Sequence, residues 1–513
     1  MEISDIYAVQ MRGITKSFGK FYALDNVDLN VKKGTIHAIL GENGAGKSTL
    51  MNILYGFYHA DLGEIYLNGQ KVDIKNPSVA ISHKIGMVHQ HFMLVDNFTV
   101  TENIILGSEV TKNFGMLDTQ KSKKEIKNII KKYGLEVDPE AKIEDISVGM
   151  QQRVEILKAL YRGVDTLILD EPTAVLTPLE IKELTDIMHN LVHDGKTIII
   201  ITHKLKEIKD SADECTIIRK GKYVDTVDVS KVEQSELATM MVGRPVKLIV
   251  NKEKSEPKEV VFEIDNLTVE DDRHLEVVKD LSLKVRRGEI LGIAGIDGNG
   301  QKELVEAITS VVNSKSGTIK VNNKEIQNTS PKYVLENGVS TIHEDRHKCG
   351  LVMNFTVSEN MVLESYKKQP FSSRGILNPR AIKKFSKGLI KDYDIRPEKC
   401  ANKKIRKLSG GNQQKVIIAR EVANNPDILI AVQPTRGLDV GAIEYIHKEL
   451  IKLRDQGKAV LLISLELDEV MNVSDRIAVI YNGAIVDTFD HGTVDENTLG
   501  LLMAGGKNSA VND

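Results

Sequence analysis

Short, unbroken apolar runs alternate along this chain with longer stretches whose apolar residues recur every three or four positions. Thr166-Leu-Ile-Leu169 and Thr197-Ile-Ile-Ile-Ile201 have the length and β-branched composition of strands buried on both faces. Val31-Lys-Lys-Gly34-Thr-Ile-His-Ala-Ile-Leu40 reads as a turn and a buried strand, and Ser48-Thr-Leu-Met-Asn-Ile-Leu54 after it has helical spacing. Ile85–Val88 and Val339–Ile342 are further strand-like runs. The stretch 119–160 is lysine-rich, helical and amphipathic, as in Lys123-Lys-Glu-Ile-Lys-Asn-Ile-Ile-Lys-Lys132. It predicts a helical subdomain set on an α/β core, its lysines forming a solvated face.

The pattern occurs twice. Gly41 and Gly295 stand 254 residues apart, as do Gln90 and Glu344; Ser147 and Ser409 stand 262 apart, as do His203 and Leu465. A register that jumps once predicts duplicated domains, with about eight extra residues in the second copy between 344 and 409. The predicted organisation is a first domain over 1–246, a polar linker over 247–259 containing Pro257, a second domain over 260–505 and a disordered tail over 506–513. Acid and base nearly balance, at a net charge of −3, so no basic field exists to hold nucleic acid. Three widely spaced cysteines, Cys215, Cys349 and Cys400, predict a reducing compartment and no disulfide or zinc framework. No apolar run approaches the ~20 residues that span a bilayer, and the first residues lack the basic and apolar regions of a signal peptide. The expectation is a chain of the cytosol.

Strand, glycine loop and helix in that order are the context of a phosphate-binding loop. Gly41, Glu42, Asn43, Gly44, Ala45, Gly46, Lys47, Ser48 and Thr49 form one, in which backbone N–H groups and a helix N-terminus converge on phosphates. Lys47 adds a positive charge there, and Ser48 can ligate Mg²⁺. Asp170, closing a strand, can hold Mg²⁺; Glu171 beside it is the candidate base for an attacking water. Gln90 follows a strand and can sense the metal or the water. His203 ends the strand 197–202, where it can polarise a γ-phosphate or hold the attacking water.

Gly-Glu-Asn-Gly-Ala-Gly-Lys-Ser-Thr-Leu50, the Gln90 loop, Asp-Glu-Pro-Thr173 and Leu-Ser-Gly-Gly-Asn-Gln-Gln-Lys415 resemble the nucleotide-binding subunits of ABC transporters. The tandem arrangement is similar to the double-ATPase subunit of bacterial sugar and nucleoside importers. Gly-Met-Val-His-Gln-His-Phe-Met-Leu-Val95 and Ala-Val-Gln-Pro-Thr-Arg-Gly-Leu-Asp-Val-Gly-Ala442 lean towards the nucleoside branch, with ribose- or galactose-type import as the alternative. The resemblance implies two tandem P-loop cassettes, each a RecA-like α/β core with a helical and an antiparallel β subdomain, using ATP and Mg²⁺. It implies partners as well: two separate transmembrane permease subunits and, through them, an extracytoplasmic substrate-binding lipoprotein. The chain would then lie peripherally on the cytoplasmic side of the bacterial cell membrane, without inserting into it.

The resemblance also implies head-to-tail pairing, in which ATP lies between the phosphate loop of one half and the Ser-Gly-Gly motif of the other. One such site joins Lys47, Ser48, Gln90, Asp170, Glu171 and His203 with Ser409, Gly410, Gly411, Gln413 and Asp439. Phe18 is its expected adenine-stacking aromatic. The other site is damaged throughout. Gln301 replaces the loop lysine, Lys302 the serine, Val432-Gln433 the Asp-Glu pair and Leu465 the histidine; Ser147-Val-Gly-Met-Gln151 is a spoiled signature, Thr177 replaces Asp439 and Asp272 replaces Phe18. Losing the base alone costs about 10²–10⁴ in rate, so this site is expected not to turn over. It is either drift in a dispensable site or a silent ATP clamp.

Two further patterns compete. His343-Glu-Asp-Arg-His347 fits the zinc-protease pattern, yet it follows a strand and occupies the Gln90 register, so no zinc is expected; His89 and His91 are likewise not expected to bind metal. Phe92–Val95 and Phe98 read as core by default, or, by the resemblance, as a groove for a membrane subunit's coupling helix. Tandem ABC proteins that act on ribosomes typically keep both sites intact and carry a long basic linker, and neither applies here.

Overall fold

The computed structural model describes residues 6–89, 92–111, 117–173, 176, 178–245 and 252–506. They divide into two compact units, 1–246 and 247–513. In the first unit a six-stranded sheet runs in the order Lys222–Asp228, Glu214–Arg219, Ile36–Leu40, Thr197–Thr202, Thr166–Asp170 and Ile85–Val88. All its neighbours are parallel except the Lys222–Asp228 strand. A second, antiparallel sheet is ordered Phe21–Lys32, Tyr7–Phe18, Leu62–Leu67 and Gln70–Val72. The helices Val100–Ile105, Thr119–Tyr133 and Val148–Tyr161 pack on one another as the helical subdomain. On Thr119–Tyr133 only Ser122, Ile126 and Tyr133 are buried, so its lysines do face solvent.

The second unit repeats this plan. Its six-stranded sheet is ordered Val339–Ile342, Ile428–Val432, Ala459–Ser464, Ile290–Ala294, Arg476–Tyr481 and Ala484–Asp490. Its antiparallel sheet is ordered Glu276–Arg286, Val260–Glu270, Ser316–Val321 and Lys324–Glu325. Continuous apolar runs are needed because both faces of the parallel sheet are covered. Leu429 and Ala431 belong to the core under the helical side, whereas Ile428, Ile430 and Val432 belong to the core under the antiparallel sheet.

The extra residues of the second copy enter in three steps, not one. The strand ends Val88 and Ile342 keep the offset of 254, but the capped helix starts Thr99 and Thr356 stand 257 apart. The caps Asp118 and Asn378 stand 260 apart, and Ser147 and Ser409 reach 262. Each step falls in a connection, where added length costs little. Of the segment expected as linker, 247–251 lies outside the described residues. From Lys252 onward it is fastened to the second unit: Lys252 Nζ donates to the carbonyls of Val473 and Ser474 at 2.9 and 2.6 Å, and Lys258 N–H to Arg287 O at 3.0 Å. Of the expected tail, 507–513 lies outside the described residues. No helix among the described residues is long and apolar enough to cross a membrane.

Candidate functional site

The strand Ile36–Leu40 delivers the chain into the glycine loop, and the helix Lys47–Tyr55 leaves it. Gly46 caps that helix with φ 108°, and a Cβ there would come within 2.6 Å of Ala23 O. Only glycine allows this turn, which aims the helix's first N–H groups into the loop. Lys47 is 6% exposed and its Nζ donates to the carbonyls of Gly41 and Glu42 at 2.7 and 3.2 Å. Burial lowers its pKa, and the carboxylates of Glu171, Asp170 and Glu42 act against this. The loop is therefore a concave, positively charged cradle for an anion.

The parallel sheet brings the remaining first-unit residues to the same edge, at the carboxyl ends of its strands. Asp170 ends Thr166–Asp170 and is hydrogen-bonded to the Ser48 side chain. Burial, and then the neighbouring Glu171 charge, push its carboxyl up to about 6. A desolvated carboxylate and a hydroxyl side by side are hard oxygen donors, a set that fits Mg²⁺. Glu171 has φ 46°, and its Oε1 lies 3.0 Å from His203 Nδ1. That hydrogen bond holds Glu171 below the usual carboxylate range against the opposing effect of burial. Lys47, Ser48, Asp170, Glu171 and His203 are thus gathered in one place; Gln90 and His91 lie outside the described residues. Phe18 ends its strand 47% exposed, its ring edge-on to Tyr58 at 5.4 Å and with Lys16 Nζ 5.7 Å over it.

One residue at this edge escaped the sequence reading. Glu207, on the short helix Leu205–Ser211, accepts the hydroxyl of Thr173, two residues past Glu171, and that of Thr202, next to His203, the latter at 2.8 Å. Burial raises its pKa. It ties the loop carrying the candidate base to the strand end carrying the histidine. A carboxylate one helical turn after His203 was the available signal.

In the second unit Ser409, Gly410, Gly411 and Gln413 open the helix Gly410–Ala423. Asp439 caps the helix Val440–Asp455 through Ala442 N–H at 2.8 Å and stands beside Gly411. The Ser409 hydroxyl caps no backbone N–H of its helix and instead accepts the side-chain amide of Asn412 at 2.9 Å; Ser147, its counterpart, accepts Met150 N–H at 3.3 Å. In the spoiled motif Val148 and Met150 project into solvent, and the Glu180 carboxylate packs where a Cβ on Gly149 would stand. A carboxylate at a helix N-terminus repels phosphate. Thr177 lies outside the described residues.

The second phosphate loop keeps its shape without its charge. Gly298 and Gly300 have φ 86° and 87°, as Gly44 and Gly46 have 81° and 108°. Gln301 Nε2 donates to Ile296 O at 2.8 Å, the carbonyl matching Glu42 O. Lys302 is exposed and pairs with Glu306, while Val432 is buried. The His343–His347 segment is not a helix with two histidines on one face: His343 follows the strand Val339–Ile342, and a π-helical turn begins at Arg346. His89 packs against the rings of Tyr55 and Phe57. Within Phe92–Val95 no side chain is buried, and Met93 is 63% exposed, so this stretch is not core.

Residues 24–174 and 278–436 match the ABC transporter family. The chain is 57% identical over 500 residues to the guanosine import ATP-binding protein NupO of Bacillus subtilis, covering 97% of this chain and 98% of that one. It is 56% identical, with the same coverage, to the nucleoside import ATP-binding protein NupA of Lactococcus lactis. The solved complex of archaeal ribosomal stalk protein aP1 and ribosome recycling factor aABCE1 matches with a TM-score of 0.61 at 19% identity, over 93% of this chain and 90% of that one, a likeness of fold.

Proposed function

Because the chain belongs to the ABC transporter family, with two ATP-binding cassettes in one polypeptide, we propose that it hydrolyses ATP at one composite site to drive nucleoside import. The observation that carries the single-site reading is the sorting of the damage. Everything the first unit supplies to its own nucleotide survives, and it is the second unit that keeps the Ser409-Gly410-Gly411 helix start and a capping Asp439. The nucleoside assignment rests on the two full-length relatives named for guanosine and nucleoside import.

In this reading the loop N–H groups and Lys47 hold the β- and γ-phosphates, Phe18 stacks on the base, and Ser409, Gly410, Gly411 and Gln413 close on the γ-phosphate from the second unit, with Asp439 beside them. Ser48 and Asp170 would hold Mg²⁺, which would neutralise charge on the phosphates, and Gln90 is the residue expected from the sequence to sense it. Glu171, kept ionised by His203, takes the proton of the attacking water. His203 then steadies the γ-phosphate. The second site does not turn over, since Gln301 supplies shape without charge and Val432 no metal ligand. Closure and reopening of the halves drive two separate permease subunits, which receive the nucleoside from an extracytoplasmic binding lipoprotein. The half-exposed Phe92–Val95 stretch is the surface offered to them, on the cytoplasmic face of the membrane.

The test is transport by the complex reconstituted in vesicles with its permeases and binding protein. ATP-dependent uptake of guanosine and uridine, with ATP consumed in parallel, supports the proposal. Uptake of ribose without nucleosides overturns the substrate assignment.

A further inference from the structure

The segment of the second unit that matches the Gln90 loop is longer than its counterpart in the first. In the first unit the chain goes from Val88, a strand end, to Val95, whose N–H and C=O close on the Asn103 side chain. In the second it goes from Ile342 to Val352, which closes on Asn360 in the same way. The first path advances seven positions and the second ten. The three added residues fall around the π-helical turn Arg346–Gly350, whose start is fixed by the Asp345 carboxylate accepting the N–H groups of His347 and Lys348. Such turns are rare and cluster at functional sites.

This turn carries two side chains to the signature motif. The Gln413 amide nitrogen already donates to the carbonyls of Ile405 and Leu408, so its Oε1 is the acceptor for His347 Nε2, 2.9 Å away. Arg346 donates through Nη1 to Arg436 O at 2.9 Å, and its Nη2 end lies 3.2 Å from where a Cβ on Gly410 would stand. Arg436 pairs in turn with Glu344, the residue in the Gln90 register. Arg346 and His347 therefore reach both the start of the signature helix and the loop that leads to Asp439. Among the described residues the first unit is wired differently. Gln151, the counterpart of Gln413, keeps its two carbonyl bonds, while Met93 N–H, in the shorter segment, is tied to Glu155 at 2.8 Å.

We propose that the inserted turn is a brace that pre-positions the signature and the Asp439 loop for the ATP held by the other half, with Arg346 and His347 as positioning residues. The proposal rests on the composite-site reading. Its physical basis is pre-organisation: elements already held in place lose less freedom when they close on the nucleotide. A segment with no competent nucleotide of its own to report on is free to take this role.

The test uses the full reconstituted transporter. Arg346→Ala and His347→Ala lower kcat for ATP hydrolysis about tenfold, while binding of a fluorescent ATP analogue without turnover stays within twofold. His347→Gln, which can still donate to Gln413, recovers most of the rate. Lys348→Ala, exposed on the same turn, is neutral. Unchanged kcat in both alanine variants, while Lys47→Ala still abolishes hydrolysis, overturns the brace and leaves the composite site standing. Equal losses of binding and kcat also overturn it, as would His347→Gln behaving like His347→Ala. If Lys47→Ala hydrolyses normally, it is the composite-site reading that fails. Should Arg346→Ala not fold, the His347 pair decides alone.

Discussion

Gln433 holds the left-handed backbone of Glu171, φ 43° against 46°, at the matching end of its strand. Its N–H bonds Ile463 O at 2.7 Å as that of Glu171 bonds Ile201 O at 2.9 Å. Such a conformation costs about 1–3 kcal/mol for a residue with a side chain. The second unit keeps that cost although glutamine cannot act as a base. The frame is thus set by the sheet and its hydrogen bonds, and the chemistry by the side chain placed on it.

The difference between the two frames is measurable as ATP turnover by the assembled complex. Glu171→Gln and Lys47→Ala should each lower the rate by at least about 10², whereas Gln301→Ala should keep most of it. Comparable losses in the two groups would sink the single-site reading.

Ser409→Arg should match Lys47→Ala in hydrolysis, because a bulky cation would fill the start of the helix Gly410–Ala423. The same change at Ser147, whose hydroxyl only caps its own helix, should cost less than about threefold. Near-equal damage from the two serines argues against head-to-tail use of the signature.

Glu207→Ala leaves the hydroxyls of Thr173 and Thr202 without their acceptor. An unsatisfied buried polar group costs about 1–3 kcal/mol, so the first unit should melt several degrees lower and kcat should fall about tenfold. Thr202→Ser should retain both stability and rate, and Thr202→Val neither. A Glu207→Ala enzyme with unchanged kcat would show that this carboxylate is structural only.

His37 sits fully buried in the central strand, its Nε2 2.8 Å from Thr216 Oγ1, and burial drives its pKa down from 6.5 to about 3. The unfolded chain binds a proton that the folded one refuses. Stability from this group is therefore complete above pH 6.5 and drains as pH falls towards 3. The loss is about 1.4 kcal/mol per pH unit, or roughly 3–6 °C of melting temperature for a domain of this size. His37→Gln keeps a partner for Thr216 and does not titrate, so its melting curve should move less between pH 7.5 and 5.5. Parallel shifts in the two proteins would refute the assignment.

The repeat, the strand and helix order and most first-unit site residues were legible in the sequence because they are local. A strand buried on both faces must be continuously apolar, and a left-handed helix start such as Gly46 must be glycine, so Ile36–Lys47 can be read without knowing what surrounds it. The split of the insertions into three steps was not legible, since only paired hydrogen bonds such as Val95–Asn103 and Val352–Asn360 fix equivalent positions.

Contacts between distant residues belonged to the tertiary structure alone. Glu207 meets Thr173, Gln301 takes over the loop carbonyl of its lost lysine, and Arg346 and His347 reach the signature. In each case the partner is chosen by how strands and helices pack, and side-chain type by itself permits many partners. The sequence determined which chemistry each half retains; the packing decided which residues hold that chemistry in place, because hydrogen bonds form between atoms that the fold brings within about 3 Å.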